Sequence, residues 1–433
     1  MTTLFACYLA VFASRLGLRR LNLRHLQRRG HTVPPGFEAA VDAQQLARSR
    51  EYTLANARVD LAESLVGSAV LLGFLFGGGL ELYDRWVLAL VPGPVLAGVL
   101  FLLGLHWAQT LLGVPFGLTR TFGVEARYGF NRTTPRLWLA DLAKSELVGV
   151  VLLSILAGAI LGLLQASPRW WWLWAWGFFA GFSVLMLYLS PQFIEPLFFH
   201  FEPVQAPDLE RRIRDLADRA GLGVSRVLQV DASRRSGHSN ATFSGIGRVK
   251  RIVLFDTLLT QMAPDEVLAV VAHEMGHWKL HHMARRLGFA LLGALAAFWV
   301  AHLLLTWSGL PGLVGAEQLS THARLLVLSV IGSLARFPLT PLSSGLSRRH
   351  ERQADRYATD LTGAPRSLAS ALVKLGTENL ANLHPHPLYA WFYFSHPPLS
   401  GRVAALEGPA AVPDPCPPES RGHNRNRPPS PGP

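Results

Sequence analysis

Four stretches of this 433-residue chain, Trp86 to Thr119, Leu147 to Pro168, Trp170 to Ile194 and Leu287 to Ala316, contain no Asp, Glu, Lys or Arg. Each is longer than the roughly 20 residues a helix needs to cross a bilayer. They predict a mainly α, multi-pass membrane protein. Composition agrees, because half of the residues are apolar and only 16% are charged, against about 25% in an average soluble domain. Shorter apolar runs at Thr2 to Ser14, Ser64 to Leu80 and Leu325 to about Leu342 bring the expected number of spans to seven. The first of these runs lacks a preceding positive charge and fits a span better than a signal peptide.

The net charge of +12 would suggest a nucleic-acid partner in a soluble protein. Here its distribution points to the bilayer instead, and no nucleic-acid partner is expected. Arg15, Arg19, Arg20, Arg24, Arg28, Arg29, Arg48, Arg50 and Arg58 precede the second span, and Arg120, Arg127, Arg132, Arg136 and Lys144 fill the loop at 119–144, whereas 308–322 is nearly free of basic residues. Basic loops mark the cytoplasmic side. The N-terminus is therefore expected outside, with the loops 15–60, 119–144, 199–286 and 345–433 inside. Two cysteines, Cys7 and Cys416, give no disulfide framework.

The expected organisation is a membrane region over 1–198 with about five spans, a water-facing segment over 199–286, two further spans over 287–345, a second water-facing segment over 346–406, and a Pro-rich disordered tail over 407–433. Within the water-facing part, 238–256 alternates like two strands joined by a Gly245-Ile246-Gly247-Arg248 turn.

The chemistry concentrates in APDEVLAVVAHEMGHWKLHH, residues 263–282. Pro264, Asp265 and Glu266 read as a helix start, since proline costs no donor there and acids meet the helix dipole. On that helix His273 and His277 are four residues apart, so both imidazoles leave one face and fit adjacent corners of a zinc tetrahedron. Glu274 between them has the place of a general base toward water on zinc. With 16 His in the chain and as many Glu, chance would supply such an HExxH motif only about 0.02 times. A catalytic zinc needs a third protein ligand. SRRHERQAD, residues 347–355, offers Glu351 for it, with Asp355 on the same helical face to hold the outer nitrogen of a ligand histidine. His281 and His282 continue past the motif and are expected in surface or packing roles.

Further motifs occur in order: YGFNRTT at 128–134, PQFIEPLFFHFEP at 191–203, SRRSGHSNATFSG at 233–245, KRIVLFDTLL at 250–259 and SHPPLSGR at 395–402. With HEMGHWKL and SRRHERQAD, this set resembles the CAAX prenyl protease family of integral-membrane zinc endopeptidases, over nearly everything from Tyr52 to Leu406. The resemblance implies one zinc held by His273, His277 and Glu351, with Glu274 as base, in a chamber enclosed by seven tilted helices. It also implies that His396 polarises the scissile carbonyl with Arg402 as charge partner. Asn240 and Ala241 would lie on a strand edge that contacts the substrate backbone, a mode that main-chain hydrogen bonding makes tolerant of sequence.

The implied substrate is a polypeptide, prenylated or membrane-associated. A metal-binding channel or transporter is the competing reading, but it would place acids and histidines within the spans, whereas Asp265, Glu266, Lys279, Arg285 and Arg286 flank the motif here. Heat-shock membrane metalloproteases have fewer spans, and site-two proteases embed HExxH in an apolar span. Only Lys144, Lys250, Lys279 and Lys374 among the 41 basic residues are lysines, which suggests a GC-rich genome and a bacterial inner membrane, with the clearing of damaged membrane proteins as a physiological task.

Overall fold

A computed structural model describes residues 1–244 and 251–408. The N-terminal run forms helix α1 (Thr2–Arg29). Helix α2 (Ala43–Phe76) starts on Asp42, whose carboxylate accepts the Gln45 amide at 2.7 Å. Gly78 then turns the chain at φ 80°, a conformation a β-carbon resists, and α3 (Gly79–Leu90) leaves from it. Pro94 and Pro135 begin α4 (Pro94–Leu118) and α5 (Pro135–Ala166), where the missing amide costs nothing. After α6 (Trp171–Leu189) and the one-turn α7 (Glu195–Phe198) the chain enters its mixed region. There β1 (Phe201–Pro203), α8 (Pro207–Arg219), β2 (Arg226–Val230), β3 (Ala241–Ser244), β4 (Arg251–Phe255), α9 (Asp256–Gln261) and α10 (Pro264–Lys279) follow one another. Helix α11 (His282–Leu305) and α12 (Thr321–Arg336) are apolar again. A short 3-10 turn joins α12 to α13 (Thr340–Thr362), and α14 (Pro365–Glu378), α15 (Pro387–Tyr393) and α16 (Leu399–Glu407) complete the order.

Among the described residues, six helical stretches are long and apolar enough to cross a membrane: Ala43–Phe76, Pro94–Glu125, Pro135–Ala166, Trp171–Phe198, His282–Leu305 and Thr321–Thr362. Their large apolar side chains face outward, with Leu111 71%, Leu147 67% and Leu292 63% exposed. Water would penalise such surfaces, and hydrocarbon accepts them. The six match all the expected spans except the first. Helix α1 is long, but its apolar part ends at Ser14, and Arg15, Arg19, Arg20 and Arg24 follow within the same helix. The last span also extends past its expected end near Leu342, because α13 carries the helix on to Thr362.

The sheet has four strands in the order β1-β2-β4-β3. At its centre β2 and β4 are parallel, Arg226 opposite Arg251 through Val230 opposite Phe255, and bury Val227, Val230, Ile252 and Leu254. The two strands expected within 238–256 are β3 and β4, antiparallel with Ala241 opposite Leu254. The turn expected at 245–248 lies outside the described residues, as does the tail from 409; Glu407, expected in that tail, closes α16. The parallel partner β2 was not legible, since nothing local in a five-residue strand names a distant neighbour.

Two apolar clusters organise the chain. One joins α8, α10, α14 and the sheet through Ile213, Leu254, Leu258, Met275 and Leu368. The other packs α1 to α4 against α12 through Leu75, Leu80, Phe101, Leu310 and Val327. The histidine motif rides on the first.

Candidate metal centre

Helix α10 is fixed at its start as its residues require. The Glu266 carboxylate accepts the Ala263 amide at 2.7 Å, the Ser370 hydroxyl at 2.6 Å and the Lys374 ammonium at 2.7 Å. About two and three turns later, His273 and His277 point the same way, toward α13. The two helices touch at Gly276, where a β-carbon would meet Ala354 Cα at 3.1 Å and Tyr357 Cδ1 at 3.2 Å. Only glycine lets the backbones come so close, and this crossing brings Glu351 up to the histidines.

Three donor groups converge there. His273 Nε2 and His277 Nε2 are 3.2 Å apart, Glu351 Oε2 lies 3.4 Å from the former, and Glu351 Oε1 lies 3.3 Å from the latter. Zinc bonds of about 2.0–2.2 Å at tetrahedral angles set neighbouring ligand atoms about 3.4 Å apart. The spacing and the two-imidazole, one-carboxylate donor set therefore fit zinc. Among the described residues this is the one group of three His, Cys, Asp or Glu found close enough to hold a metal ion.

Both histidines are braced from behind. His273 Nδ1 lies 2.9 Å from Asp355 Oδ1, and Asp355 is gripped by Arg402, Nε on Oδ2 at 2.9 Å and Nη2 on Oδ1 at 2.6 Å. His277 Nδ1 lies 3.0 Å from His282 Nδ1, whose Nε2 lies 3.0 Å from Gln353 Oε1. Burial pulls the His273 pKa down, but Asp355 and Glu351 outweigh it and push it up to about 9. Burial pushes the Glu274 carboxyl above its usual range, against the pull of His273 and His277. A carboxylate shifted this way takes up a proton more readily, as a general base must.

The residues singled out by sequence are largely brought together. Asp355 stands behind His273. His396 is exposed, with Nδ1 2.8 Å from Glu351 Oε2. Sequence reading groups Arg402 with the substrate-contacting residues and with His396; in the structure Arg402 is 8% exposed and its guanidinium is spent on Asp355. Strand β3 lies against α10 at the sheet edge. The Asn240 carbonyl accepts the Phe255 amide at 3.1 Å, so the following pair, Ala241 with Leu254, turns the Ala241 amide and carbonyl toward the open edge. The Asn240 side chain accepts that amide at 2.9 Å.

His282 and Gln353 are the neighbours that sequence reading missed. His282 is 1% exposed and stacked on His350 at 4.1 Å. The helix expected to run on through 282 breaks instead, with His281 at φ 54° and α11 starting at His282. That kink swings His282 back under His277. A histidine five residues past a ligand gives no helical signal for such a contact.

Comparison with known proteins identifies the family. Residues 22–200 match the family described as CAAX prenyl protease N-terminal, five membrane helices, and residues 203–410 match peptidase family M48. The chain is 32% identical to a CAAX prenyl protease 1 homolog of Arabidopsis thaliana over 93% of its own length and 96% of the relative's. It is 30% identical to CAAX prenyl protease 1 of Saccharomyces cerevisiae, covering 89% and 91%. An uncharacterized metalloprotease of Bacillus subtilis is 30% identical, over 78% and 80%. The crystal structure of S. mikatae Ste24p superposes with a TM-score of 0.88 at 28% identity, covering 94% of this chain and 98% of that one. The chain is a multi-pass membrane metallopeptidase of the CAAX prenyl protease and M48 family.

Proposed function

We propose that this protein is a zinc endopeptidase in which His273, His277 and Glu351 hold the metal, Glu274 is the general base and the β3 edge holds the peptide. The observation that carries this reading is the convergence of two imidazole nitrogens, from the helix that also carries Glu274, and the Glu351 carboxylate, 3.2–3.4 Å from one another. Bound there, zinc supplies a Lewis acid that polarises a carbonyl and makes water a nucleophile near neutral pH. Glu274 takes the proton of the attacking water and returns it to the leaving amine. His396 donates toward the oxygen of the scissile carbonyl as charge gathers on it. Asp355 keeps the His273 proton on Nδ1, leaving Nε2 as the donor atom, and Arg402 holds Asp355 in place. Asn240 and the outward groups of Ala241 bind the substrate backbone.

The membrane architecture we infer has seven spans around a chamber that holds this site, with α1 as the additional span. The Met1 ammonium donates to the Gly312 carbonyl at 2.9 Å, beside the start of α12, while Asn22 accepts the His386 amide at 2.9 Å near α15. A 28-residue helix reaches about 42 Å, more than the ~30 Å of hydrocarbon. The basic loops support a site on the cytoplasmic side. The M48-type region from 203 and the membrane region before it support the five-part organisation read from sequence. The substrate class is a polypeptide cut near its C-terminus after a prenylated cysteine, as the relatives' names indicate. A bacterial inner membrane, inferred from arginine usage, would add unlipidated membrane proteins cleared as damaged.

Glu274→Gln is expected to retain one zinc per chain and lose cleavage of both prenylated and unprenylated peptides, while Glu351→Gln loses zinc. Metal analysis and product mass spectrometry decide it. Normal cleavage by Glu274→Gln would overturn the mechanism.

A further inference from the structure

The residues that lead into β3 are bound to the membrane half of the protein by a half-buried polar network. The Tyr52 hydroxyl of α2 donates to Glu125 Oε1 at 2.7 Å, and Glu125, at the end of the π-helical turn that follows α4, places Oε2 3.2 Å from His238 Nε2. The other ring nitrogen of His238 lies 3.1 Å from Asn379 Oδ1. That oxygen also accepts the Ser239 amide at 3.1 Å, while Asn379 Nδ2 donates to the Ser239 carbonyl at 3.3 Å, which fixes the orientation of the amide. Both nitrogens of His238 therefore face acceptors, and the Tyr52 proton is already given to Glu125. The arrangement is satisfied when His238 carries both protons and Glu125 none. Burial pulls the His238 pKa down, yet the bonds to Glu125 and Asn379 leave it raised.

The same stretch is held along its backbone. Phe130 stacks on His238 with ring centroids 4.0 Å apart, and its carbonyl accepts the Gly237 amide at 2.9 Å. The Arg235 carbonyl accepts the Arg132 amide at 3.2 Å and the Thr133 hydroxyl at 3.0 Å, and the Arg235 guanidinium grips Asp141 of α5 at 2.8 and 3.1 Å. None of these groups touches the zinc ligands, and the mechanism above uses none of them. Two and three residues beyond His238 come Asn240, whose carbonyl is bonded to the Phe255 amide, and Ala241, whose backbone groups face the sheet edge.

We propose that the Glu125–His238 ion pair is a positioning element for the substrate, setting the height of the β3 edge above the zinc helix from the membrane half of the chain. The inference rests on the reading of β3 as the substrate strand. It explains why the YGFN and GHSN motifs, distant in sequence, belong to one machine: the first braces the second. Fixing one end of a four-residue edge strand fixes where a paired peptide lies over the metal, and misplacement by about 1 Å can cost on the order of 100-fold in rate.

The test uses the full-length protein and a fluorogenic peptide that it cleaves, beside a depsipeptide in which the backbone amide pairing with Ala241 is an ester. Wild type should prefer the amide about tenfold, the loss of one hydrogen bond. Glu125→Gln, with zinc content unchanged, should raise KM on the order of tenfold while kcat changes less, and its preference for amide over ester should collapse. Tyr52→Phe, a milder change that keeps the ion pair, should lie between. If both variants keep wild-type preference, or lose rate equally on amide and ester with the preference intact, the network is only structural and the proposal falls. If wild type itself shows no preference, the substrate-strand reading fails, and this inference fails with it.

Discussion

Gly276 is where the metal centre is most exposed to a one-carbon change. A β-carbon at this position would approach Ala354 Cα at 3.1 Å, Tyr357 Cδ1 at 3.2 Å and the Ala354 carbonyl oxygen at 3.3 Å. Two of those neighbours are backbone, so they cannot rotate away, and relief requires α13 to retreat from α10 by a few tenths of an ångström. Glu351 lies one turn from Ala354 on α13 and moves with it. Metal sites tolerate only about 0.2 Å in ligand distance, so Gly276→Ala should weaken zinc binding on the order of 10- to 100-fold, as displaced ligand supports do. Alanine in a helix gains about 1 kcal/mol over glycine, while overpacking costs about 1–3 kcal/mol. Overall stability should therefore fall by no more than about 2 kcal/mol while zinc binding weakens. Chelator competition on the purified membrane protein, with thermal unfolding in parallel, separates the two effects. Gly288→Ala is the control, since nothing lies within 4 Å of its built β-carbon. Zinc affinity of Gly276→Ala within twofold of wild type would refute the claim that this crossing sets the ligand distances.

Two other expectations follow from single contacts. Leu292, 63% exposed on α11, faces lipid, so Leu292→Arg should cost about 2.5–3.5 kcal/mol in membrane insertion, read as lost yield in a glycosylation-reporter assay; unchanged insertion would mean that this face is not lipid-exposed. Burial pushes the Glu266 carboxyl up, but Lys374, Ser370 and the Ala263 amide more than compensate and leave its pKa below the ordinary 4.5. A depressed pKa contributes stability above the unfolded value that is lost as pH falls through the folded one. Glu266→Gln should therefore destabilise at pH 7, and its deficit should shrink as pH falls below 4.5; a deficit independent of pH would show that the charge is not what stabilises.

Local chemistry made much of this protein legible from residues alone. Apolar runs had to become helices, and all seven did, six of them in stretches long and apolar enough to cross a membrane. HExxH at helical spacing had to put two imidazoles on one face, and Pro264 with Glu266 marked where that face begins. Glu351 and Asp355 were readable because helical period places them together. Arg402 was not, because its partner, Asp355, lies 47 residues away and no spacing encodes the pairing of α16 with α13. His282 was hidden by a kink at His281, where a helix predicted to continue turns through a left-handed residue.

Sequence alone therefore determined the solvent, the helical elements and the identity of the chemical groups, since each depends on residues within one or two turns of each other. The tertiary structure decided everything that needs two distant segments at once. The approach of α13 to α10 at Gly276 sets the ligand triangle, and the edge position of β3 turns Ala241 outward. The contact of Glu125 with His238 ties the membrane half to the strand. These depend on packing, in which a contact is fixed by the shape of both partners, and a linear sequence states only one partner at a time.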